Sequence, residues 1–295
     1  MRFIQSVEAL RDRVDRRVFL GIGLVLFVAA FVYALTALPP IPNLRWIFLL
    51  LVAVIAIPIT VLFNAAEFTV SLALLGGRAN FRESMRVALM ASAANLLPLP
   101  GAALVRIGAM KRRGIALGGA FRLTIGVGLV WIGTAVVLLG LFLLTSDAVV
   151  VALAILAGGS LLTFVAARVV ARTSLVERPY PLIAQVVAVE LGSTGIKALR
   201  LWLVLHALHQ PATASDALAL TVASIVATSS GFFPGGLGLS EALSGIVAPA
   251  VGLPLAVGVL ASGIDRVIGI VVLGLSLLPL MINRRAEDPP TMSEP

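Results

Sequence analysis

The chain has 295 residues, 60% apolar and only 12% charged, with a mean hydropathy of +1.09. A soluble domain carries roughly 25% charged residues, so this composition excludes a water-soluble enzyme and points to an all-α polytopic membrane protein. The complete lack of cysteine excludes disulfides and thiolate metal sites, and the net charge of +8 suits cytoplasmic loops beside anionic lipid rather than nucleic acid.

Residues 1–17 carry Arg2, Arg11, Arg13, Arg16 and Arg17, with Phe3, Val7, Leu10 and Val14 at helical spacing. This pattern predicts an amphipathic helix lying on the cytoplasmic face. The apolar run from Val18 to Leu38 is too long for a signal-peptide core and reads as a retained first span. Further spans are predicted at 46–75, 118–144, 148–171, 181–208 and 255–282, each long enough to cross about 30 Å of hydrocarbon. The tail 286–295 is expected to be disordered, and no synthase-sized domain is expected after residue 282.

Two further apolar stretches, about 83–110 and 217–252, are interrupted in the middle. The first contains Asn95-Leu-Leu-Pro98-Leu-Pro100-Gly101, and the second Ser229-Ser-Gly-Phe-Phe-Pro234-Gly235-Gly236-Leu-Gly238. Proline removes a backbone donor and glycine permits a sharp reversal. The arms on either side, about 10–16 residues long, are too short to cross. Each stretch therefore reads as a re-entrant helical hairpin, tolerated only inside protein or beside a water-filled cavity. Arg78, Arg82 and Arg86 precede the first hairpin and Lys111, Arg112 and Arg113 follow it, so a re-entrant path keeps both clusters cytoplasmic. The expected topology has six spans, two hairpins entering from opposite faces, and both termini in the cytoplasm of a bacterial cell. Residues 18–144 and 148–282 repeat the order span, span, hairpin, span, starting from opposite sides. That is an inverted repeat of the transporter type, with a binding site expected near mid-membrane.

Charges inside spans mark candidate sites. Glu190 lies near mid-depth of its span. Lys197, about 10 Å further along the axis on the same helical face, is too far for a direct bridge. Lys197 and Arg200 have the alternative of snorkelling to the outer interface. Asp265 and Arg266 are also near mid-depth and, as helix neighbours, each requires a partner elsewhere. Glu67 sits late in its span. Arg106 and Glu241 each follow a Pro-Gly turn on a returning arm; if the hairpin tips meet, these two are expected to pair and close the pathway. The helix opening after Gly238 presents free N–H groups suited to phosphate. His206 and His209 read as interfacial, and no metal or cofactor motif is present.

Pro234-Gly235-Gly236-Leu237-Gly238-Leu239-Ser240-Glu241 resembles the late Pro-Gly-Gly-x-Gly-x-x-Glu element of the lysylphosphatidylglycerol synthase transmembrane region, the flippase-like domain family. That family's earlier Asn-x-x-Pro element, leading through Gly-Glu to an Arg, corresponds to Asn95, Pro98 and Arg106. Ala102 and Ala103 replace the Gly-Glu pair, which marks a divergent subfamily. The resemblance extends over the chain in length and hydropathy. It implies movement of a phospholipid or polyprenyl-phosphate-linked lipid between leaflets of the cytoplasmic membrane. Arg106, Lys197 and Arg266 would attract phosphate, and Glu190, Glu241 and Asp265 would balance them. The partners expected are membrane lipids with anionic head groups. Two rival readings are a non-transporting subunit that presents lipid to a partner enzyme, and an intramembrane transferase using Glu190 or Asp265 as base.

Overall fold

Uninterrupted apolar runs satisfy their backbone groups internally and form continuous helices. The computed structural model describes residues 16–37, 44–95, 101–145, 149–229 and 234–287. Helix α1 spans Arg16–Ala37, α2 Trp46–Leu74, α3 Phe81–Ala94, α4 Gly101–Lys111 and α5 Leu117–Leu143. They are followed by α6 Val149–Thr173, α7 Tyr180–Ala207, α8 Ala214–Ser229, α9 Leu239–Val247 and α10 Leu255–Glu287. No strand occurs among the described residues. Among the described residues, five helices are long and apolar enough to cross a membrane: α2, α5, α6, α7 and the Leu255–Leu277 part of α10. Helix α1, with 22 residues, stands where the first span was expected.

One boundary differs from expectation. Helix α10 continues to Glu287 instead of giving way to disorder at 286, because Arg284, Arg285, Ala286 and Glu287 are all good helix formers. Residues 288–295 and the amphipathic segment 1–15 lie outside the described residues. Within α2, Val52–Ala56 forms a π-helical turn. Pro58 supplies the reason: it lacks the donor for Val54 and crowds that carbonyl, and a widened turn relieves both.

The interrupted stretches form pairs of short helices. In the first, Asn80 caps α3 by accepting from the Glu83 N–H at 2.9 Å. Glu83 also forms an ion pair with Arg113, just beyond α4. The start of α3 and the end of α4 are thus joined, as a hairpin requires. On the same side, the Leu74 carbonyl accepts from the Ser174 hydroxyl at 2.8 Å and from the Leu175 N–H at 2.9 Å. At the opposite ends of α2 and α7, the Arg45 N–H donates to the Ala207 carbonyl at 3.2 Å.

Helix packing follows one pattern in both halves. Helices α2 and α7 pack on each other, α3 packs on α2 and α8 on α7, and the returning arms α4 and α9 lie against α5 and α10. The outer helices are exchanged: α6 packs along α5 and α1 along α10. The α5–α6 pair is especially close. A Cβ on Gly133 would sit 2.8 Å from the Thr163 backbone nitrogen, and one on Gly159 2.7 Å from that of Val137. Small residues permit this approach, which maximises van der Waals contact where no hydrophobic driving force acts between helices.

Two large apolar clusters form, one including Leu205, Val257 and Leu260, the other Phe68, Leu72 and Leu123, with a small third cluster of Val61, Ala65 and Ala88 between α2 and α3. Along α2, the stretch Thr60–Glu67 falls between the residues of the two large clusters, its apolar side (Val61, Ala65) packing on Ala88 of α3. Along α7, Glu190–Arg200 likewise falls between the two large clusters. The polar residues of both helices are thereby gathered at one level, between two apolar layers.

Candidate functional site

The two hairpin tips are built by different devices and meet. At the first, Asn95 ends α3, and its side-chain oxygen accepts from the Ala102 N–H at 3.1 Å, satisfying one of the free donors at the start of α4. A Cβ on Gly101 would lie 1.9 Å from the Ala94 carbonyl oxygen, so only glycine permits this close return. Pro98 and Pro100 lie outside the described residues. At the second tip, Pro234–Gly236 forms one short turn before α9. Gly235, Gly236 and Gly238 have φ of 53°, 72° and 76°, a left-handed region that costs other residues about 1–2 kcal/mol each. A Cβ on Gly235 would stand 2.4 Å from the Asn95 carbonyl oxygen, which places the tips in direct contact.

Ion pairs fasten this junction. Arg266 donates from Nε to Glu241 Oε1 at 2.6 Å and from Nη1 to the Gly235 carbonyl at 3.0 Å, tying α10 to both the second tip and its returning arm. Arg200 donates to Asp265 through Nε at 2.9 Å and Nη2 at 2.8 Å, a two-pronged fork of the kind guanidinium and carboxylate favour. The third prong, Nη1, reaches the Thr60 hydroxyl at 3.4 Å. The expectation that Asp265 and Arg266 find separate partners on other helices is therefore met.

Arg106 and Glu241, in contrast, do not pair. Arg106 Nη2 binds Glu67 Oε2 at 2.5 Å, and Glu241 is taken by Arg266. Each returning arm is neutralised within its own half of the sequence, by α2 in one case and α10 in the other. Glu67 is consequently buried inside the protein rather than placed near an interface. Neither Lys197 nor Arg200 snorkels. Arg200 is held by Asp265, and the Lys197 ammonium lies 4.2 Å from the centroid of the Trp131 ring, over its electron-rich face. Glu190 is 5% exposed and, among the described residues, has no hydrogen-bond or ion-pair partner. Glu67, Arg106 and Lys197 act on it electrostatically from a greater distance.

Between the Arg200–Asp265 and Arg266–Glu241 pairs lies a cavity of about 210 Å³. Of the candidate residues taken from the sequence, Asn95, Lys197, Arg200, Gly235, Asp265 and Arg266 line it, whereas Gly101, Arg106, Glu190, Gly236, Gly238 and Glu241 do not. The rest of the polar lining was not singled out in the sequence: Thr60 and Asn64 from α2, Ser92 from α3, Thr221, Ser224 and Thr228 from α8, Ser240 and Ser262. A signal was present. Thr221, Ser224 and Thr228 recur every three or four residues in an otherwise apolar helix, a polar stripe at helical period. These hydroxyls are cross-linked, Ser240 to Ser262 at 3.0 Å and Ser224 to Ser244 at 3.2 Å. Such a lining offers both donors and acceptors to a hydroxylated or phosphorylated group.

The family model described as the lysylphosphatidylglycerol synthase TM region matches residues 16–276, most of the chain. The chain belongs to that family. Among curated proteins, none matches it. The lysylphosphatidylglycerol synthase TM region match takes in both hairpins, the Arg200–Asp265 and Arg266–Glu241 pairs beside the cavity and the Glu67–Arg106 pair. In this member of the family, the Asn95 and Gly235 elements are two sides of a single contact.

Proposed function

We propose that this membrane protein transports lipid, carrying a phosphate-bearing head group through the cavity between the hairpin tips while the acyl or prenyl chains stay in the bilayer. The observation that carries the reading is a cavity walled by Lys197, Arg200 and Arg266 and by hydroxyl side chains, placed where two hairpins meet. Cations within membrane-spanning helices are costly and are retained beside a polar pathway. The matching helix order of the two halves supports an inverted repeat, whose alternate tilting would open the cavity to one leaflet and then the other. Arg78, Arg82, Lys111 and Arg112 are exposed at the side marked by the Glu83–Arg113 pair, and that side is assigned to the cytoplasm of a bacterial cell.

The test is reconstitution of the purified chain into liposomes containing fluorescent phospholipids or prenyl phosphates, with outer-leaflet label bleached chemically. Exchange faster than in protein-free vesicles, and slowed by Lys197→Met, is expected. Vesicles that match the protein-free control with every head group would refute the transport reading.

A further inference from the structure

The intramembrane charges balance in a way that says what must travel with the lipid. Among the described residues, eight ionisable side chains gather at the polar level of the bundle: Glu67, Glu190, Glu241 and Asp265 against Arg106, Lys197, Arg200 and Arg266. Six are joined in direct ion pairs, Glu67–Arg106, Asp265–Arg200 and Glu241–Arg266. The two left over are Glu190 and Lys197, both on α7. They carry opposite charges, and neither has an ion-pair partner among the described residues.

These two face different surroundings. Lys197 lines the cavity, whereas Glu190 does not and is buried beside the Glu67–Arg106 pair. The charged groups acting on Glu190 are Glu67 from α2, Arg106 from α4 and Lys197 from its own helix; α5 brings the uncharged Trp131 against Lys197. Helical side chains lean toward the N-terminus, so the Lys197 stem points back along α7 toward Glu190. Of the two cations that act on Glu190, Arg106 is already paired with Glu67, and among the described residues Lys197 has no ion-pair partner of its own.

Resting on the transport reading, we propose that the cavity takes a lipid phosphodiester bearing one negative charge, bound on Lys197, and that Glu190 takes up one proton as it binds. The anion occupies the Lys197 ammonium, and the Glu190 carboxylate loses its counter-charge. A proton from water then bonds to a Glu190 carboxylate oxygen and restores neutrality in a medium where an uncompensated charge costs several kcal/mol. The loaded carrier has the same net charge as the empty one, so lipid and proton cross together without moving charge against the membrane potential. A doubly charged phosphomonoester or a diphosphate exceeds what one free ammonium offsets. A head group with an added ammonium competes with Lys197 instead of pairing with it.

The test uses the full chain in detergent with dihexanoyl phosphatidylglycerol as the singly charged probe and dihexanoyl phosphatidylcholine as the zwitterionic one. Binding is followed by tryptophan fluorescence, since Trp131 stacks on Lys197, and proton uptake by a pH-indicator dye in weak buffer. Expected are preference for the anionic probe, uptake of about one proton per bound anion, and affinity falling about tenfold per pH unit above the Glu190 transition. In Glu190→Gln, uptake disappears and affinity stays constant with pH for as long as Lys197 keeps its ammonium; in Lys197→Met, anion binding is lost. The double variant Lys197→Met/Glu190→Gln removes one charge of each sign, retains neutrality, and should lose both signals even if either single variant fails to fold. Anion binding without proton uptake, uptake undiminished in Glu190→Gln, or no preference for the anion would overturn the proposal. Lipid exchange in liposomes without proton uptake would leave the transport reading standing and overturn this one. Coupled binding without exchange would do the reverse.

Discussion

Replacing Arg266 by methionine isolates the junction between α10 and the second hairpin. The Glu241 side chain is completely buried, its Oε2 has no hydrogen-bond partner, and Oε1 is held by Arg266 Nε at 2.6 Å. Arg266→Met leaves the carboxylate without a donor on either oxygen, and the Gly235 carbonyl loses its own. Breaking a buried ion pair from one side costs about 3–5 kcal/mol, which for a chain of this size lowers the unfolding midpoint by on the order of 10 °C. Adding Glu241→Gln should recover part of that loss, because a neutral amide without partners is less costly than an ion, and the coupling across the cycle is expected at about 2–3 kcal/mol. Arg168→Met, at an exposed arginine stacked near Phe164, is the control and should stay within about 0.5 kcal/mol. The assay is thermal unfolding in detergent, read by fluorescence-detected size exclusion. A midpoint for Arg266→Met within about 2 °C of the parent, or strictly additive effects in the double variant, would refute the assignment of this pair as the fastening of the hairpin.

Gly235→Ala should cost about 2–4 kcal/mol, from left-handed backbone and from a methyl group driven into the Asn95 carbonyl; unchanged thermal stability would show that the tips are not in contact. Asp265→Asn releases Arg200 from its fork and adds one uncompensated positive charge to the cavity. It should destabilise the protein by about 1–3 kcal/mol while tightening binding of anionic short-chain lipid, and weaker binding would count against the cavity as the anion site. The chain contains no cysteine, so single cysteines report sidedness cleanly. Arg78→Cys and Arg112→Cys should react with impermeant maleimide only from the cytoplasmic side, and Arg45→Cys and His209→Cys only from the other. Labelling of positions 78 and 112 from opposite sides would mean that the first hairpin crosses.

Much of the site was legible because each device used residues with narrow physical roles. Left-handed turns require Gly235, Gly236 and Gly238, and a close return requires Gly101, so the tips could be read directly. Charges in an apolar chain stand out, and Arg200, Asp265, Arg266 and Lys197 all reach the cavity wall. Partner choice was not legible. Whether Arg106 meets Glu241 or Glu67 depends on which helix lies beside the returning arm, and no local pattern encodes that neighbour. The hydroxyl lining was missed for a different reason. Thr60, Thr221 and Thr228 satisfy their hydroxyls on their own helix carbonyls, so in sequence they look like ordinary membrane-helix threonines.

The close glycine seam between α5 and α6 changes what counts as a moving part. Helix α5 closes the first half of the sequence and α6 opens the second, yet their backbones touch, while α1 rides on α10 at the far end of the chain. Each half has therefore lent its outermost helix to the other. Rigid bodies that rock during transport would be drawn across the sequence repeat, with α6 carried by the first half and α1 by the second. Two fragments separated at the loop after Leu143 would each part with the helix that braces them against lipid. Their reassembly would depend on re-forming that seam before either could hold the polar layer closed.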